Sequence, residues 1–185
     1  LKANDGTAGL VVADSTGRIT FSENNPVIEL GSNATGFTGA KILDQWRLTT
    51  AFSGVGNPIS SNLERVDTGN QTTIGSQMTP TSGVFQFPMT GKYYLTFHAT
   101  FNLSVVGGSA RYIGITINKV ISGSADKLGF TYTHITNAQG STTYASATVA
   151  STFDCTDTNT DKVSFSTFEM SNTAVETIGS SNFNQ

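Results

Sequence analysis

Few side chains in this sequence have types and spacing suited to chemistry. They are two histidines, His98 and His134, one cysteine, Cys155, and an oxygen-rich group, Asp154, Asp157, Asn159 and Asp161. A histidine serves as a general base when a nucleophile lies within hydrogen-bond reach and an acid orients its ring. Neither histidine has a carboxylate or the cysteine beside it in sequence, and no Gly-x-Ser-x-Gly elbow occurs. Both fall in Thr- and Tyr-containing strand segments, so we read them as side chains of a polar face or an interface and expect no enzyme. Cys155, being alone, excludes an intrachain disulfide framework and every multi-cysteine zinc site. A single thiol of this kind usually packs as a small hydrophobe.

The acidic group concentrates oxygen ligands within eight residues, as a calcium loop does. Its spacing does not follow the EF-hand pattern, and it supplies fewer than the roughly six to eight oxygens a hard cation takes. The same residues equally suit a solvated turn into Val163, with Asp and Asn bonding nearby backbone. Calcium at Asp154, Asp157, Asn159 and Asp161 is therefore the one cofactor candidate, and otherwise none is expected. Gly54-x-Gly56 lacks the third glycine of a dinucleotide fingerprint and reads as a loop.

The chain has 10 basic and 13 acidic side chains, a formal net charge of -3, and its Lys and Arg residues form no stripe. Nucleic acid and anionic membrane surfaces are thus not expected partners. No apolar run is long enough to span a bilayer, so membrane insertion is not expected either. Charged residues make up 12% of the chain, half the share of about a quarter found in an average domain. The 29 Thr, 20 Ser, 14 Asn and 19 Gly provide the solvation instead and favour strands and turns.

The elements that must hold these residues are strands. Residues 93–105 alternate cleanly, with Tyr93, Leu95, Phe97, Ala99, Phe101, Leu103 and Val105 on one face and Tyr94, Thr96, His98, Thr100, Asn102 and Ser104 on the other. Similar alternation at Trp46 to Phe52, Ile113 to Ile117, Ala145 to Phe153 and Val163 to Phe165 predicts seven or eight strands in an antiparallel sandwich. Tyr132, Tyr144, Asn137 and Asn172 read as surface loop residues that could meet a glycan or a receptor, or be ordinary loop chemistry. Residues 1–45 hold short apolar clusters at 10–12, 19–21 and 27–30 between turn signals. That is too little to close a core, so we expect a small β-rich attachment segment preceding a head at 46–185.

The head carries a dense motif: Gly83, Phe85, Pro88, Gly91, Tyr93 and Phe97 in one register. Pro88 ends a ladder, Gly91 permits a turn, and Phe85, Phe87, Tyr93, Leu95 and Phe97 supply core. This block resembles the central signature of the C1q/tumour-necrosis-factor-like jelly roll, Gly-x-Phe-x-x-Pro-x-x-Gly-x-Tyr-x-x-x-Phe. Residues 63–66, 113–118 and Asp161-Lys162-Val163 resemble flanking strands and the turn of that family. Thr160 stands where the family has glycine, and where that family closes with a Phe-x-Gly-x-Leu strand the sequence given reads Ser181-Asn182-Phe183-Asn184-Gln185.

The resemblance implies an all-β jelly-roll sandwich that assembles as a homotrimer, with Tyr94, Thr96 and His98 turned toward the other protomers. Segments at 1–4, 14–19, 37–39 and 42–48 are similar in style to fibre and head-decoration proteins of marine tailed bacteriophages. That second resemblance implies a virion structural protein, exposed on the particle. It would contact other virion proteins through its N-terminal segment and a host receptor or glycan through its outer loops. A secreted C1q-like recognition module is the alternative, and the sequence lacks the Gly-x-y stalk that such modules carry.

Overall fold

A computed structural model describes residues 39–67, 71–137 and 140–181. The apolar clusters at 10–12, 19–21 and 27–30, and the closing 182–185, lie outside the described residues. Eleven strands and no helix make up the regular structure among them. They are β1 (Trp46–Leu48), β2 (Thr50–Ser53), β3 (Leu63–Arg65), β4 (Thr79–Thr81), β5 (Val84–Gln86), β6 (Gly91–Leu103), β7 (Ser109–Ile121), β8 (Ser124–Thr136), β9 (Thr143–Cys155), β10 (Asp161–Phe168) and β11 (Glu176–Ser180). The sequence reading counted seven or eight. The excess comes from the division of 46–52 into β1 and β2 and from the short strands β4 and β11, which carry no clean alternation. The stretch 46–52 is two strands because Thr49 N–H turns aside to donate to the Asn62 carbonyl at 2.7 Å.

Three antiparallel sheets result, ordered β4-β5-β10-β7-β8, β2-β11-β6-β9 and β1-β3. From β5 onward the chain changes sheet between β5 and β6, β6 and β7, β8 and β9, β9 and β10, and β10 and β11, which gives a jelly-roll-like β-sandwich. Two tight hairpins use the turn chemistry that right-twisted strands demand. Ser122-Gly123 and Ser82-Gly83 both have positive φ at each position, the backbone of a type I′ turn. Gly83, the first residue of the aromatic motif, is required twice over, since a Cβ there would also lie 2.3 Å from the Ile59 carbonyl oxygen.

The core lies between the five- and four-stranded sheets. Phe85, Phe87, Ile113, Ile115, Ile117 and Val163 from one layer meet Leu95, Ala99, Phe101, Leu103, Val149 and Phe153 from the other. Phe87 stacks on Phe153 with centroids 5.2 Å apart, and Phe85 meets Trp46 and Phe165 edge to face. Tyr93 and Phe97 pack against this cluster half-buried, while Val105 lies beyond the end of β6 and is exposed. Residues 43–44 are tied to the head. Leu43 bridges Ile74, and the Asp44 carboxylate accepts from Arg65 Nε at 2.9 Å and Met78 N–H at 2.8 Å.

Candidate interaction face

β6 and β9 pair without a register break from Gly91↔Cys155 to Leu103↔Thr143. Strand parity then decides which side chains share a surface. Leu95, Ala99, Phe101 and Leu103 enter the sandwich, opposite Ala147, Val149 and Phe153. Their neighbours face outward as a ladder of cross-strand pairs: Lys92/Asp154, Tyr94/Thr152, Thr96/Ala150, His98/Thr148, Thr100/Ser146 and Asn102/Tyr144. Tyr94, Thr96 and His98 thus share one exposed face.

Charge is confined to the ends of this ladder. Lys92 Nζ pairs with Asp154 Oδ2 at 2.7 Å at one end, and Asn102 Nδ2 donates to Glu176 Oε2 at 3.2 Å at the other. Between them lie Thr, Ser and Ala, the His98 ring with Nδ1 2.6 Å from Thr148 Oγ1, and two rings largely in solvent. Tyr94 is 74% exposed and Tyr144 63%. Tyr144, read from sequence as a loop residue, is on β9, because the strand starts at Thr143. Beside this face, β6 is matched by β11 only at Phe101 and Asn102 among the described residues. A cavity of about 510 Å³ opens there, lined by Trp46, Leu48, Phe85 and Phe97 and reaching Tyr94 and His98.

Three residues of the calcium candidate, Asp157, Asn159 and Asp161, take part in turn hydrogen bonds, and the fourth, Asp154, is on β9. Asp161 Oδ2 accepts from Thr156 N–H at 2.8 Å, Thr156 Oγ1 at 3.0 Å and Asp157 N–H at 3.0 Å. Bonds to the backbone amides and to the threonine hydroxyl hold its carboxyl below the usual value. Asp157 Oδ1 accepts from Asn159 N–H at 2.9 Å, and Asp154 faces outward onto Lys92. Among the described residues no group of three or more His, Cys, Asp or Glu side chains is arranged to hold a metal ion. Thr160, where the family motif has glycine, is not among the residues with positive φ, so this turn does not need glycine.

His98 and His134 lie on the outer faces of different sheets, so the fold does not bring them together. Cys155 is 1% exposed and faces the core at the end of β9. Burial, with the negative charges of Asp161, Asp157 and Asp154, pushes its thiol up and keeps it protonated at neutral pH. Of the other surface loop readings, Tyr132 is not in a loop but on β8, and Asn137, just beyond β8, is not at the surface but fully buried, its Nδ2 donating to the Leu103 carbonyl at 2.9 Å. Asn172 does sit in a turn, its Oδ1 accepting from Ala174 N–H at 2.9 Å.

No protein-family model matches this chain, and no curated protein matches it by sequence.

Proposed function

We propose that this chain is a non-enzymatic structural subunit of a tailed-phage virion, a fibre, spike or decoration protein whose jelly-roll head assembles as a homotrimer. The N-terminal segment docks on other virion proteins, and the head is presented on the particle for assembly or host adhesion. One observation carries the reading: the outer face of β6 and β9 is depleted of charge between its ends and leaves Tyr94 and Tyr144 in solvent. Charge depletion with exposed tyrosine is the composition of an interface centre. Burying each ring against another protomer contributes about 2 kcal/mol, and three protomers repeat the gain. The cavity beside β6 gives incoming side chains a seat next to Tyr94 and His98.

The rings on β8 favour a second reading, a secreted C1q-like module that binds a protein or glycan. Immunogold labelling of intact particles with an antibody against the chain separates the two. Labelled particles support the virion reading and distinguish tail from head, whereas antigen found only free in the medium supports the secreted module.

A further inference from the structure

On the side of β8 turned away from the sandwich, Phe130, Tyr132 and His134 follow one another at the same parity, all exposed. Alternate residues of a strand stand about 6.6 Å apart, so the three form a row. The row is held from beneath. Gly114 is the Cα partner of both Tyr132 and Phe168, and a Cβ at Gly114 would lie 2.7 Å from the Phe168 ring. Lacking one, it lets Phe168 lie over the sheet as a floor, 5.2 Å from the Tyr132 centroid and 6.2 Å from that of Phe130. Phe130 and Tyr132 meet edge to face at 5.9 Å. The Tyr132 hydroxyl donates to Glu169 Oε2 at 2.5 Å, and Glu169 itself has a φ of 49°, a strained backbone maintained by its surroundings.

Two cations flank the row. Lys127 Nζ sits 3.5 Å from the Phe168 centroid and 5.2 Å from that of Phe130. At the far end the register places Arg111 opposite the His134 stretch, its guanidinium 5.9 Å from the Tyr112 ring. Neither cation is in an ion pair among the described residues. The carboxylate nearest the rings, Glu169, is taken by Tyr132. Glu169 keeps its negative charge while it accepts from Tyr132, and Asp126 pairs with Lys119, so the row carries two cations against one engaged carboxylate.

We propose that the row is a binding site for an acidic glycan, whose sugar faces stack on Phe130 and Tyr132 and whose carboxylates meet Lys127 and Arg111. A protein partner needs roughly 800 Å² of surface per side with an apolar centre. Here the exposed rings follow β8, with Tyr112 of β7 beside Tyr132, and the neighbouring outward positions Thr116, Asn118, Ser164 and Ser166 are buried small polar groups bonded to one another. An oligosaccharide, narrow and amphipathic, fits that shape. This deepens the adhesive part of the reading above.

The test is amide NMR and calorimetric titration of the full chain at low salt with tetragalacturonate, tetramannuronate and sialyllactose, against cellotetraose and lactose as neutral counterparts. At least one acidic sugar is expected to shift residues of β8 together with Arg111 and Glu169. It should bind at least tenfold more tightly than its neutral counterpart and weaken as salt is raised. Lys127→Gln with Arg111→Gln should abolish that preference while leaving the rest of the amide spectrum unchanged. Tyr132→Ala should cost a further tenfold, and Tyr94→Ala nothing. Absence of shifts with all three acidic sugars at about 10 mM, equal binding of neutral and acidic members, or binding undiminished by Tyr132→Ala would each overturn the proposal. A trimer that ignores every sugar removes only this site, and a monomer that binds one removes only the assembly.

Discussion

On the four-stranded sheet the outward residues Thr96, Thr148 and Thr152 stay in solvent, whereas on the five-stranded sheet the outward residues Thr116, Asn118, Ser164 and Ser166 are at most 7% exposed. Both sets are short, polar and at outward parity. The difference comes from what lies over them. On the five-stranded side, residues 56–59 run along β10, with Ile59 N–H donating to the Phe165 carbonyl and Thr167 N–H to that of Gly56. Asn57 Oδ1 accepts from Ser166 Oγ at 3.0 Å, and Asn118 Nδ2 donates to Ser166 Oγ at 2.9 Å. The Phe168 ring closes the other side over Gly114. One outer face is therefore an internally satisfied platform carrying ordered rings, and the other is an open ladder with tyrosines that nothing in the described protomer covers. A polar residue at outward parity is solvated only if no neighbouring ring or loop folds over it.

The sharpest way to break this contrast is to remove a ring from each face. Phe168→Ala takes away a side chain that is 6% exposed and is expected to cost about 3–5 kcal/mol in chemical denaturation. Tyr94→Ala, in protein kept monomeric by dilution, should change stability by no more than about 0.5 kcal/mol. Equal losses would erase the distinction. Next in size, Asn118→Ala leaves Thr116, Ser164 and Ser166 short of a partner in a buried network and should cost about 1–3 kcal/mol. His98→Ala, whose Thr148 partner is exposed, should again stay within about 0.5 kcal/mol.

The smallest effect concerns acid. Asp161 is held below its ordinary value of 3.8 by hydrogen bonds made in the folded state. A depressed carboxyl contributes stability that is complete above 3.8 and lost as pH falls through its folded value. Asp161→Asn should therefore be less stable than the natural protein at pH 7, with the gap closing as pH drops below about 4. Melting temperatures measured across that range check it, and a gap independent of pH would show that the carboxylate charge is not what the turn uses.

Legibility in the sequence followed local pattern. β6 could be read because its two faces differ in polarity at every position, and the core residues Phe85, Phe87, Leu95 and Phe101 came with it. The rings of β8 could not. Leu128, Phe130 and Tyr132 share parity and suggest a single buried face, yet the pairing slips between Ile117↔Gly129 and Asn118↔Lys127. Leu128 is the extra residue of that bulge, so it packs on the core while Phe130 and Tyr132 turn to solvent. The acidic turn was legible as a turn, but which of its carboxylates gathers the amide hydrogens was not, since spacing alone offers Asp154, Asp157 and Asp161 equally. The burial of Ser164 and Ser166 depends on Asn57, more than 100 residues away in sequence, which no local pattern records.

Self-association through the Tyr94 face is tested most directly by sedimentation velocity of the full chain and of Tyr94→Ser at matched concentrations. The account predicts a natural protein of three times the 19.5 kDa chain mass and a variant shifted toward monomer with an unchanged fold. A natural protein that sediments as monomer, or a variant that remains trimeric, would contradict it.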